Sequence, residues 1–197
     1  MSPRVRAFLL AIMHMAALSV LARALWDFQF GGLTANPIED ITRRSGHAAL
    51  VLLTLSLSAT PLRRITGISF FVRMRRPLGL YSFFYAAIHL YIFIGLDYGF
   101  DWDLILLEFP KKRFIIAGFL AFIILLALAA TSWRRMVLLL GGAWKKIHYS
   151  VYPASLLAAA HFVWLTKGDK TRPLIYGGVI ALLLAARLVK ASKPVGG

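Results

Sequence analysis

Hydrophobic positions along the chain gather into six long runs separated by short polar breaks. The runs cover residues 7–25, 47–62, 78–96, 114–132, 148–165 and 174–189. Each is near the ~20 residues that carry a helix across a ~30 Å hydrocarbon core. The second and sixth are shorter and would stand with little tilt or reach into the interface. Barrel strands alternate polar and apolar residues, and these runs do not, so they read as helices. The pattern predicts an all-α polytopic membrane bundle with six transmembrane helices in a single domain, residues 1–197.

Turn chemistry fills the breaks. Gly31-Gly32 and Asn36-Pro37 follow the first run, and Pro61 is expected to end the second. Pro77 is expected to open the third at a favourable helix-start position. Pro110, Gly141-Gly142 and Pro173 precede the last three. No linker is long enough to mark a second domain, and no convincing internal repeat or low-complexity tract is visible. Arg4, Arg6, an apolar run and Ala22-Arg23-Ala24 resemble a cleavable signal peptide. The run is long for that role, and its removal would leave a five-span bundle, so a retained span is expected.

Charge sets the orientation. The 197 residues carry 23 Lys plus Arg against 8 Asp plus Glu, a net charge of +15, with 59% hydrophobic residues. Mean hydropathy is +0.72. The charge alone would suit a nucleic-acid binder, but a chain this apolar is expected in a membrane, with no nucleic acid as partner. With the N-terminus inside, alternate connections place 14 basic residues and no acid on the inner side. The other 9 basic residues and all 8 acids then fall outside. Both termini are therefore expected in the cytoplasm. The absence of cysteine excludes disulfides, thiolate-held iron–sulfur clusters, catalytic thiols and covalent haem attachment through C-x-x-C-H.

All five histidines lie at or within the runs, where an ionisable residue is costly and therefore a functional candidate. His89 lies 11 residues into the third run and His161 13 into the fifth, roughly 16 and 20 Å from the inner side at 1.5 Å per residue. The two helices run in the same direction, so both imidazoles reach the outer half of the membrane at similar depth. Facing imidazoles at matched depth, with no cysteine, are what bis-His ligation of a b-type haem requires. The plain alternative is a histidine bonding a neighbouring helix. His148 opens the fifth run on the inner side, where a second haem, a flavin or a quinone would shorten the electron path. Its 13-residue offset from His161 turns the two about 140° apart, which disfavours a two-haem ladder, although Pro153 between them can change that phase. His14 reads as a helix contact or a distant partner of His148, and His47 as interfacial.

Other features are weaker. Trp26, Trp102, Trp133, Trp144 and Trp164 fall near run ends, as an aromatic belt does. Arg73, Arg75 and Arg76 suit lipid headgroups or a flavin phosphate. Gly79, Gly118 and Gly177-Gly178 are expected to permit close helix packing. Asp97, Asp101, Asp103 and Glu108 either steer an outer partner or balance Lys111, Lys112 and Arg113. No dinucleotide fingerprint, Walker sequence or hydrolase triad is present.

Several ordered segments resemble one known family. They are residues 32–41 (GLTANPIEDI), Ser45-Gly46, Thr60-Pro61-Leu62, residues 75–80 (RRPLGL) with His89-Leu90, Trp144-Lys145-Lys146-Ile147-His148, Val151-Tyr152 and His161-Phe162-Val163-Trp164. The chain is similar along nearly its whole length to the MsrQ (YedZ) family, in the ferric-reductase-like transmembrane group. The resemblance implies an inner-membrane electron-transfer subunit that binds haem b and FMN, with haem-associated histidines matching His89, His148 and His161. It implies electrons from the quinone pool or a cytoplasmic flavin reductase, and delivery to MsrP, a periplasmic molybdopterin methionine sulfoxide reductase that repairs oxidised proteins. His47 stands where that pattern has no histidine. The alternatives are a haem-containing ferric or quinone reductase without a protein partner, or a small transporter or assembly factor whose histidines bind no cofactor.

Overall fold

A computed structural model describes residues 2–188. Val189 at the end of the sixth predicted span, and Lys190 and Lys193 of the inner basic set, lie outside the described residues. The described chain is helical, with no strand among these residues. The long helices are α1 (Pro3–Gln29), α2 (Pro37–Thr66), α3 (Phe70–Tyr91), α5 (Arg113–Ala130), α8 (Val151–Leu165) and α9 (Thr171–Leu188). Three short helices join them: α4 (Trp102–Glu108), α6 (Arg134–Leu140) and α7 (Gly142–Tyr149). Four segments, Pro3–Gln29, Pro37–Thr66, Phe70–Asp97 and Arg113–Ala130, are long and apolar enough to cross a membrane.

The central helix is α2. Half of its apolar stretch is buried inside the protein, against 11% for α1. It contributes to all three apolar clusters. One joins Ala48, Ala49 and Leu52 to Met13 of α1 and Tyr85 of α3. A second joins Leu50 to Ala159 and Ile180, and a third joins Leu53 to Leu125 and Leu128. Around this axis α3 packs on α2, α8 packs on α5, and α9 closes the ring against both α8 and α2.

Two prolines behave differently from the sequence expectation. Pro61 does not end α2, and Pro77 lies inside α3 rather than opening it. A proline within a helix leaves the carbonyl four residues earlier without its N–H partner. For Pro61 that carbonyl is Leu57, and Arg187 Nη2 of α9 donates to it at 2.7 Å. The defect is thus converted into a tie between helices. α2 ends instead at Gly67, whose left-handed φ of 72° and N–H bond to Arg63 O make a C-cap. The fifth predicted span also divides. Pro153, in the first turn of α8, cannot extend the helix backward, and the break at Ser150 separates α7 from α8.

The turn between α1 and α2 is held by an ion network. Arg44 donates to Asp27 of α1 and forks onto Asp40, through Nη2 at 2.8 Å and Nε at 3.0 Å. The forked geometry fixes both partners, and Asp27 is buried. Removing one member of such a network strands the others. Asp27→Asn should therefore lower the unfolding midpoint of the detergent-solubilised protein by several degrees. Arg23→Ala should not, because Arg23 is 76% exposed and reaches Asp27 only at 3.5 Å. Equal midpoints for the two variants would show that the network does not anchor α1.

A candidate bis-histidine site

His89 on α3 and His161 on α8 meet between the two helix pairs. Their ring centres stand 6.0 Å apart, with the planes 87° from parallel. Each ring is held from behind in the same way. His89 Nδ1 lies 2.9 Å from the carbonyl oxygen of Thr42 on α2, and His161 Nδ1 lies 2.7 Å from that of Phe114 on α5. A carbonyl only accepts, so each Nδ1 must carry the proton. Each Nε2 then keeps its lone pair, the tautomer a metal-binding imidazole needs.

Metal–imidazole nitrogen bonds run about 2 Å, so one iron shared by two imidazoles would set their ring centres about 6 Å apart. The observed separation fits that demand. Among the described residues no group of three or more His, Cys, Asp or Glu side chains comes together to hold a metal ion. Two imidazoles alone complete a metal's coordination only when another group supplies the remaining ligands, as a haem macrocycle does. The donor set therefore suits haem. Directly after His89 the helix widens into a π-helical turn, Ile92–Asp97, an irregularity that recurs at functional sites.

The other histidines stand apart from this pair. His148 lies on α7, beyond the break at Ser150, and not at the head of the fifth span. Its Nε2 is 3.2 Å from Thr131 Oγ1, and its ring stacks on Trp144 at 4.1 Å. Thr131 gives its hydroxyl proton to Ala127 O at 2.7 Å, so His148 Nε2 is the donor in that contact. Trp144 donates to Thr131 O at 3.0 Å, which makes it part of this cluster as well as of the aromatic belt. His14 bonds Tyr81 OH at 2.9 Å, linking α1 to α3. His47 is exposed and faces Tyr176 of α9 at 3.4 Å.

Two glycine expectations divide. Gly118 lies against the His161 ring, whereas a Cβ at Gly177 or Gly178 would meet nothing within 4 Å, so those two permit no close packing. In the loop region, Asp101 caps α4 through Leu104 N at 3.0 Å, and Glu108 pairs with Lys112 at 2.8 Å and Lys111 at 3.5 Å. The Lys112 ammonium holds the Glu108 carboxyl below its usual range, and Glu108 raises Lys112 in return. Two of the four acids are thus engaged within the protein.

The chain is similar to known proteins over most of its length. The family described as ferric reductase like transmembrane component matches residues 45–159. A relative from Rhodospirillum rubrum, named protein-methionine-sulfoxide reductase heme-binding subunit MsrQ, is 46% identical over 83% of this chain and 79% of its own length. The chain belongs to the MsrQ family. Members from Xanthomonas axonopodis pv. citri and Bordetella pertussis carry the same name. They are 41% and 42% identical, over 91% and 90% of this chain and 85% and 87% of their own. The matched ferric-reductase-like region contains α3 with His89 and ends just before His161.

Proposed function

We propose that this chain is the haem b-binding, electron-transfer subunit of a protein-methionine-sulfoxide reductase system. It would lie in the bacterial inner membrane with six spans and cytoplasmic termini. The observation that carries the reading is the His89–His161 pair, two proton-fixed imidazoles whose ring centres stand 6.0 Å apart. Support comes from the family, whose members are named heme-binding subunits of that reductase. Six spans are supported by α8 and α9, which add to the four long apolar segments, and by the charge partition, which keeps all 8 acids on one side.

His89 and His161 hold the group through Nε2, and the carbonyls of Thr42 and Phe114 hold the rings. Haem b, when bound, supplies a one-electron carrier. The pair sits in the outer half of the proposed membrane, which favours a periplasmic acceptor of the molybdopterin, MsrP type. The donor is the quinone pool or a cytoplasmic flavin reductase. On the inner side Arg73, Arg75 and Arg76 form no ion pair among the described residues. They are the residues suited to hold the phosphate of an FMN. His148 lies on that same side.

The test is an optical difference spectrum of the purified chain, followed by mixing with a purified periplasmic methionine sulfoxide reductase. A dithionite-reducible b-type spectrum that reoxidises only with the reductase and its substrate is the expected result. A chain without that spectrum would sink the proposal. Reoxidation by ferric chelates alone would favour a ferric reductase without a protein partner.

A further inference from the structure

The two imidazole sites are built alike, down to their spacing. His89 bonds Thr42 O and faces Gly46, and His161 bonds Phe114 O and faces Gly118. Every member of the second set follows its counterpart by 72 positions (42 to 114, 46 to 118, 89 to 161). The burial pattern keeps the same offset. Ser45, Ala49 and Leu53 of α2 are buried, and so are Ala117, Ala121 and Leu125 of α5. The α2–α3 pair and the α5–α8 pair therefore present equivalent half-sites.

In each half the glycine lies four residues after the carbonyl, so its N–H is that carbonyl's helical partner. The carbonyl oxygen has a second lone pair to offer. The imidazole reaches it across the surface where a side chain at the glycine would stand. A Cβ at Gly46 would lie 3.0 Å from both Nδ1 and Cε1 of His89. A Cβ at Gly118 would lie 2.7 Å from Nδ1 of His161 and 3.0 Å from its Cε1. Gly79 serves no such purpose, since its Cβ would meet only Ser56 Oγ at an ordinary 3.5 Å.

We propose that Gly46 and Gly118 are paired positioning residues of the haem site, an inference that rests on haem ligation by His89 and His161. Each omits the one side-chain atom that would bar its imidazole from the carbonyl a turn away on the same helix. The Nδ1–H bond so formed fixes the tautomer and orientation of the ligand and makes Nε2 a stronger donor. A stronger donor favours the oxidised metal, so losing the bond raises the reduction potential. Because both ligands are held identically, neither glycine is redundant.

The experiment compares the full-length wild-type chain with Gly46→Ala, Gly118→Ala and the controls Gly79→Ala and Gly177→Ala. Haem content is read by pyridine haemochrome, hemin affinity by titration, and potential by spectroelectrochemistry. Gly118→Ala should bind hemin about 10- to 100-fold more weakly, the range for loss of a partner that orients a metal ligand. Its bound fraction should show a raised potential. Gly46→Ala should move the same way by less, and the controls should match wild type. Should Gly118→Ala fail to fold, the milder Gly46→Ala carries the same readouts. Wild-type affinity and potential in both variants would overturn the inference while leaving the ligation reading standing. Reduced haem with an unchanged potential would overturn it in favour of simple helix packing. A wild-type chain that binds no hemin would instead refute the ligation reading itself.

Discussion

Replacing either His89 or His161 with alanine should leave the purified chain almost without haem. Each imidazole offers a single free nitrogen, because Nδ1 is committed to the Thr42 or Phe114 carbonyl. No third His, Cys, Asp or Glu stands ready beside the pair among the described residues, so nothing substitutes for a missing ligand. Loss of a ligand exceeds loss of its supporting partner, so haem content should fall by at least about tenfold in each single variant. His148→Ala should behave otherwise. It removes a hydrogen bond to Thr131 and a stack on Trp144, and should leave the His89–His161 centre loaded. Haemochrome content per chain measures all three. A His148 variant devoid of haem beside a His89 variant that retains it would reassign the ligand set.

The meeting of these two rings was legible in the sequence because it depended on one quantity. Helical rise fixes depth, and His89 and His161 lie at similar distances along helices that run the same way. Phase was harder. In a membrane both the inward and the lipid-facing sides of a helix are apolar, so hydrophobic spacing does not reveal which face is buried. The sequence therefore does not distinguish Gly118, which meets His161, from Gly177 and Gly178, which meet nothing within 4 Å. Breaks were harder still. A proline marks a missing N–H but not what replaces it. Pro61 continues its helix because Arg187, 126 positions later, reaches the freed Leu57 carbonyl. Pro153 instead accompanies a break that takes His148 out of the span. The internal correspondence escaped because its working atom in each half is a backbone carbonyl, carried by Thr42 in one and Phe114 in the other. Its trace was the shared interval of 72 between two glycines and two histidines.

That correspondence extends to a fully buried position on each histidine helix, and there a single enlarged side chain should have a large effect. Ser82 on α3 and Ala154 on α8 are again 72 positions apart, and both have 0% exposure. Each stands seven residues before its histidine, two turns away on nearly the same face. Ser82 also ties the helices directly, donating to Ala49 O of α2 at 2.8 Å. Ala154 is fully buried between Val151 and Ala158, which pack against the cluster of Leu53, Leu125 and Leu128. Leucine there must force α8 outward from α5, with an overpacking cost of about 1–3 kcal/mol. The displacement falls on the His161–Phe114 bond, whose 2.7 Å length tolerates little. Ala154→Leu should therefore lower the unfolding midpoint and lose haem together. Leu156→Ala, on the same helix but 51% exposed, should do neither. Ser82→Leu should reproduce the double loss through α2 and α3. If Ala154→Leu keeps full haem despite a lowered midpoint, then helix packing and ligand placement are separable. Positioning of His161 would then fall to Gly118 and the Phe114 carbonyl alone.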